Sequence, residues 1–176
     1  ECPCVVAGTG YTGEPGVEIA VPAASAGSLW DALIGAGITP AGLGARDTLR
    51  LESALPLHGQ ELGRSITSLQ ADLGWVVAWE KPTFIGKEAA LSERSDGVTR
   101  RLFGIATDGR RPARTGCAVL VNGVAVGEVT SGNFSPILGH GIALAFLPPT
   151  TAEGDLVDID VRGKALAGRV VATPFV

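Results

Sequence analysis

From residue 98 to its end the chain reads only as strand and turn, and this limits the fold more than anything else in it. "TRRLFGIAT" (99–107) and "HGIALAFLP" (140–148) are short apolar runs with strand character. "CAVLVNGVAVGEVTSG" (117–132) sets Asn122-Gly123 between alternating apolar residues, and that dipeptide is the strongest short-range hairpin signal. "DLVDIDVRGKALAGRVVATPFV" (155–176) gives two more strands about the turn at Arg162-Gly163-Lys164. Short strands with turn signals at this spacing predict a small barrel or a sandwich.

Upstream, strands and helices alternate. "VEIAVP" (17–22) alternates as a strand should, with Glu18 and Ala20 on one side, and Pro22 ends it. Residues 24–37 form an amphipathic helix in which Ala26, Leu29, Trp30, Leu33 and Ile34 share a face; Gly35 and Gly37 stop it. A second helix is predicted over about 42–53, with Pro56 marking its exit. "WVVAW" (75–79) reads as a short buried strand, and "TFIGKEAALSER" (83–94) as a helix capped by Thr83. The expected class is therefore α+β: an α/β region over residues 1–95, then an all-strand domain over 96–176, a barrel or sandwich, with the boundary between Ser92 and Val98.

Bulk properties remove some functions. A net charge of -4 argues against a general nucleic-acid binder, which needs a basic face for phosphates. No apolar run approaches the ~18 residues of a membrane span. Cys2, Cys4 and Cys117 have neither a paired framework nor zinc-ligand spacing, so ordinary reduced thiols, no metal and a cytoplasmic setting are expected. The chain starts at Glu1 and holds no Met, and reads as a piece of a longer protein.

One apolar stretch carries unexpected charge. In "AGLGARDTLRLESALPLHGQEL" (41–62), Arg46, Asp47, Arg50 and Glu52 crowd together between leucines. Asp47 and Arg50 stand at i,i+3 and can pair on a helix. Arg46, near the helix start, can instead aim its guanidinium at a ligand carboxylate or amide. Glu18 follows the glycine-rich "GTGYTGEPG", and a carboxylate held there can take two parallel N–H bonds from a planar heterocycle, or simply face solvent. Tyr11, the sole tyrosine, suits ligand stacking and a core edge equally. His58 and His140 stand without a nucleophile motif, "TSGNFSP" (130–136) reads as a structural turn, and "GTG" and "GLG" lack the full dinucleotide-binding pattern. The residues alone allow a pocket in the first half and name no substrate.

Taken together, "GYTGEPGVEIAVP", "GLGARDTLRLESALPLHGQEL", "LGWVV", "FIGKEA", "VTSGNFSP" and "RGKALAGRVVATPF" resemble the carboxy-terminal half of the glycine cleavage T-protein family, in that family's order and over essentially the whole chain. The resemblance implies the end of a folate-binding α/β region followed by a small barrel. It implies transfer of a one-carbon unit from the aminomethyl-lipoyl arm of the H-protein to tetrahydrofolate, with ammonia released and 5,10-methylenetetrahydrofolate formed. The Glu of "GVEI" matches Glu18, implied to bind the pterin ring. The Arg of "GARD" matches Arg46, implied to contact the folate, and the Tyr of "GYTG" matches Tyr11, a pocket wall. Asp47, Arg50 and Glu52 are then left to fix the helix.

His58 stands where many relatives carry a Tyr in "LPLYG", so one pocket contact is altered. The family's catalytic Asp belongs to the amino-terminal half, which this sequence does not contain, so no catalytic residue is assigned here. Two alternatives share the scaffold. One is the folate-binding part of a dimethylglycine- or sarcosine-oxidising enzyme. The other is a non-catalytic folate-binding module.

Overall fold

The computed structural model describes residues 3–176, so Glu1 and the expectation for Cys2 lie outside the described residues. The chain forms two compact units that divide between Arg50 and Leu51.

The first unit opens with a β-hairpin of two short strands, β1 (Val5–Ala7) and β2 (Glu18–Ala20), paired antiparallel with Ala7 opposite Glu18. A 3₁₀ turn at Ala23–Ser25 leads into α1 (Ala26–Gly35). Next comes α2 (Leu43–Glu52), whose last two residues belong to the second unit. Among the described residues before Arg50 none is buried, and Val5, Trp30 and Leu43 are 70 %, 54 % and 77 % exposed. A two-stranded sheet is marginal by itself in water, and this one has no core beneath it.

In the second unit, α3 (Lys87–Asp96) ends at Gly97, whose φ of 88° breaks the helix. Six strands follow: β3 (Arg101–Thr107), β4 (Ala118–Val121), β5 (Val124–Phe134), β6 (Gly141–Leu147), β7 (Leu156–Asp160) and β8 (Ala165–Val171). They close into an antiparallel barrel in the order β3-β6-β5-β4-β7-β8, with β3 pairing β8 to complete the ring. The α+β class with a carboxy-terminal antiparallel barrel is therefore what the structure shows.

Strand patterning explains the barrel. β7 and β8 alternate buried and exposed residues, which puts Val157, Ile159, Leu166 and Val170 into the interior with Ile105, Val119 and Val129. β6 is buried at every position because it faces two cores. Ala143, Ala145 and Leu147 point into the barrel, whereas Ile142, Leu144 and Phe146 pack outward with Leu51 and Leu102. The β4–β5 turn places Asn122 (φ 52°) and Gly123 (φ 79°) in the left-handed region, the backbone of the tight hairpin that Asn-Gly favours. Register shifts between Val129 and Ser131 and between Val119 and Leu120 mark irregularities that let the sheet curl into a ring.

Three local expectations fail. "WVVAW" is not a buried strand: Gly74–Val76 is a 3₁₀ turn with Trp75 80 % exposed, because the Trp79 indole N–H donates to the Gly74 carbonyl (2.9 Å) and folds the segment back on itself. A short apolar run cannot by itself specify a strand. Thr83 caps nothing: α3 starts at Lys87 after Gly86, whose φ of 85° no helix allows, and it makes no side-chain cap bond. Most of "TSGNFSP" is strand, since β5 runs through Phe134 and the chain turns only after it.

Gly127 lies where the β4–β5 ladder passes close to β6. A Cβ there would sit 2.1 Å from the Phe146 carbonyl oxygen and 2.7 Å from a Leu147 methyl. Gly127→Ala is expected to destabilise the protein by about 1–3 kcal/mol through forced backbone displacement. Urea unfolding followed by circular dichroism measures this, and an unchanged midpoint would contradict the packing described.

Candidate functional site

Glu18 opens β2, opposite the last residue of β1. Two residues past that partner, the Thr9 hydroxyl donates to Glu18 Oε2. Glu18 is exposed, so its carboxylate is oriented by one hydroxyl yet open to a ligand. Thr9 was not singled out in the sequence, and only its place between two glycines hinted at it.

Arg46 lies in the second turn of α2, and its backbone N–H bonds the Gly42 carbonyl (3.1 Å). Its guanidinium lies over the Tyr11 ring, 4.9 Å from the centroid. A cation on an aromatic face keeps its in-plane N–H donors available while gaining about 0.5–1 kcal/mol at an exposed site. The structure thus brings Arg46 and Tyr11 together, and separately joins Glu18 to Thr9, all within one unit.

The remaining charges of α2 serve the fold. Asp47 accepts from Arg50 Nε (2.9 Å) and Nη2 (2.8 Å) through the same oxygen, Oδ1. Arg50 is 2 % exposed, so this is a partly buried pair and not a surface one. Glu52 is equally buried, and Ser135 Oγ donates to its Oε1 at 2.5 Å. Ser135 belongs to the hydroxyl-rich stretch of the sequence, and it also receives the Leu138 N–H (3.0 Å).

His58 belongs to the second unit and is exposed at the tip of a tight loop. Gln60, Glu61 and Leu62 all direct their N–H groups at the Leu57 carbonyl, and Gly59 N–H returns to Leu62. Gly59 has φ 92°, which a residue with a side chain adopts only at a cost. Fully buried Glu61 closes the loop by accepting the Leu57 N–H on Oε2 (2.8 Å). His58 is therefore displayed on a braced loop. His140, by contrast, is half-buried with Nδ1 3.0 Å from the Gly141 carbonyl.

Among the described residues no group of three or more His, Cys, Asp or Glu side chains could hold a metal ion. Cys4 and Cys117 are free thiols. No helix among the described residues is long and apolar enough to cross a membrane.

An exposed carboxylate on a short hairpin strand and a ring-stacked arginine on a helix stand upstream of a closed six-strand barrel. Residues 1–81 match the model of the GCVT N-terminal domain, and residues 100–176 match that of the glycine cleavage T-protein C-terminal barrel domain. The chain belongs to the glycine cleavage T-protein family. It is 50% identical to an aminomethyltransferase of Frankia alni over 179 aligned residues, covering 99% of this chain and 49% of that one. It is 49% identical to an aminomethyltransferase of Picosynechococcus over 172 residues, covering 97% and 47%. The crystal structure of the glycine cleavage system aminomethyltransferase T from Bartonella henselae superposes with a TM-score of 0.92 at 37% identity, covering 98% of this chain and 50% of that one. The chain spans about half the length of the curated relatives it matches.

Glu61→Ala is expected to release the His58 loop and cost about 1–3 kcal/mol, since it leaves the Leu57 N–H without its acceptor. Glu61→Gln keeps an acceptor oxygen and should cost less. Hydrogen exchange at Leu57 reports the loop directly; equal protection in wild type and Glu61→Ala would show that Glu61 does not hold it.

Proposed function

We propose that this chain is the carboxy-terminal, folate-binding half of an aminomethyltransferase of the glycine cleavage system. Its division into a folate-binding region, residues 1–95, and a barrel domain, residues 96–176, follows the change from helix to strand after Asp96. The acceptor is tetrahydrofolate, and the donor is the aminomethylated lipoyl arm of the H-protein. The setting is cytoplasmic. The proton chemistry belongs to an Asp that the family resemblance assigns to the amino-terminal half.

One observation carries this reading. At the family's motif positions, a single unit holds a carboxylate oriented by Thr9 and a guanidinium braced on Tyr11. The residues divide the work. Glu18 accepts the pterin 2-amino group and the adjacent ring N–H, a paired contact that fixes the ring plane. Arg46 donates to an anionic or carbonyl part of the same ligand, and Tyr11 walls it. His58 replaces a phenol with a shorter donor or acceptor. Holding the folate nitrogens in one orientation lowers the entropic barrier to receiving the methylene group as ammonia leaves.

Calorimetric titration with 5-formyltetrahydrofolate tests the assignment. Glu18→Gln should weaken binding by about tenfold or more, because a charge-assisted pair becomes a mismatched amide. Equal affinity in the two proteins would remove Glu18 from the pterin site.

Without the amino-terminal half, the chain should release no ammonia from aminomethylated H-protein above the protein-free rate. A coupled ammonia assay reads this. Turnover by the 176-residue chain would show that its own residues complete the catalytic site.

A further inference from the structure

A cleft of about 400 Å³ opens over strands β3, β7 and β8 of the barrel, entirely within the second unit. Small side chains make the hollow, Ala106 on β3 and Ala167 on β8. Two exposed charges of opposite sign, Asp108 and Arg169, stand in its wall. Arg169 is the register partner of Ala106, and Asp108 lies two residues beyond Ala106, its N–H bonded to the Ala167 carbonyl (2.9 Å). They are thus diagonal neighbours across β3 and β8, a spacing that a long side chain can bridge. They do not pair. Arg169 Nη1 donates instead to the Gly154 carbonyl (2.8 Å), and among the described residues neither Asp108 nor Arg169 has an ion-pair partner. A guanidinium has five N–H donors, so four of Arg169 are left over. Neighbouring charges are occupied: the Asp155 carboxylate accepts the Ala152 N–H (2.8 Å), and the Arg110 guanidinium lies over the Phe134 ring, 4.2 Å from the centroid. His140 is in the same wall, with Nδ1 3.0 Å from the Gly141 carbonyl. That contact fixes the ring proton on Nδ1 and leaves Nε2 as an acceptor.

We propose that this cleft binds an apolar α-amino acid, with its carboxylate on Arg169 and its ammonium on Asp108. Opposite charges that face one cavity and stay unpaired fit a zwitterion, whose two charged groups are joined through a single carbon. A simple anion would meet Asp108 and a simple cation would meet Arg169, so neither is favoured alone. His140 adds a second acceptor for the ammonium to the same wall. Leu156, 68 % exposed, stands with Ala106 and Ala167 as an apolar surface for the ligand's side chain. The site is built from the barrel alone and does not depend on the folate reading above.

The probe is L-leucine, titrated into the nitrogen-15-labelled 176-residue chain and followed by its amide resonances. In wild type the amides of Ala167 and Arg169 should shift and saturate. 4-Methylpentanoate keeps the carboxylate without the ammonium, and 3-methylbutylamine keeps the ammonium without the carboxylate. Each should bind about tenfold more weakly than leucine, or worse. This comparison of three ligands on wild type needs no variant. Asp108→Asn should weaken leucine by about tenfold and leave 4-methylpentanoate no weaker. Arg169→Gln should weaken leucine by a similar factor and leave 3-methylbutylamine no weaker. Both side chains are exposed, so the variants should keep the fold, which circular dichroism checks. Unmoved wild-type amides at about 50 mM leucine overturn the proposal, since two charge-assisted contacts should give a dissociation constant of about 1 mM. Equal affinity for leucine and either singly charged compound overturns it as well, and so does wild-type affinity for leucine in a folded Asp108→Asn or Arg169→Gln protein.

Discussion

Glu52 is the last residue of α2, and both ends of it are committed. Its buried carboxylate takes the Ser135 hydroxyl from the turn after β5. Its backbone carbonyl takes the N–H groups of Phe175 (2.9 Å) and Val176 (3.3 Å) from the tail after β8. One helix end thereby satisfies its own orphan acceptor and anchors two parts of the barrel distant in sequence. A buried carboxylate costs several kcal/mol unless hydrogen-bonded, so the arrangement holds only while both partners stay in place. Leu51, the preceding residue, adds the apolar part of the same junction by packing with Leu102, Ile142, Leu144 and Phe146.

The charges in the 41–62 stretch therefore divide by task. Glu52 and Glu61 are internal acceptors, each serving groups close to the helix end or loop it belongs to. The Asp47–Arg50 pair stiffens α2. Arg46 alone of the four residues 46, 47, 50 and 52 is exposed and directed at an aromatic ring. Most polar groups of this stretch are consumed by the fold, and Arg46 remains at the surface, as its proposed role needs. The same economy appears at Glu18, where one hydroxyl sets the orientation of a carboxylate that stays accessible.

Much of the barrel was legible because period-two alternation and turn chemistry agree. Asn122-Gly123 and Arg162-Gly163 both take the left-handed backbone, and the Asp160 carboxylate supports the second turn by accepting the Gly163 N–H at 2.6 Å. Helices α1 and α2 fall close to their expected spans, since apolar spacing and flanking glycines mark both. The failures share a cause. "WVVAW" is apolar and short, and the indole of Trp79 decided its shape through a bond five residues back. Thr83 precedes a left-handed Gly86 whose conformation no composition rule foretold.

By itself, the sequence determined the strand-and-turn character of residues 98–176, the helices around residues 26–52 and the candidate residues Glu18, Tyr11, Arg46 and His58. These follow from local period, capping and motif, which a linear chain records directly. Only the tertiary structure decided that the strands close into a ring, that β6 is buried on both faces, that Thr9 hydrogen-bonds Glu18 and that Arg100 lies over Phe146. Each of these depends on pairings between residues separated along the chain. Whether a polar side chain is consumed by a partner or left for a ligand is set by who stands beside it in space, and spacing along the sequence does not encode that.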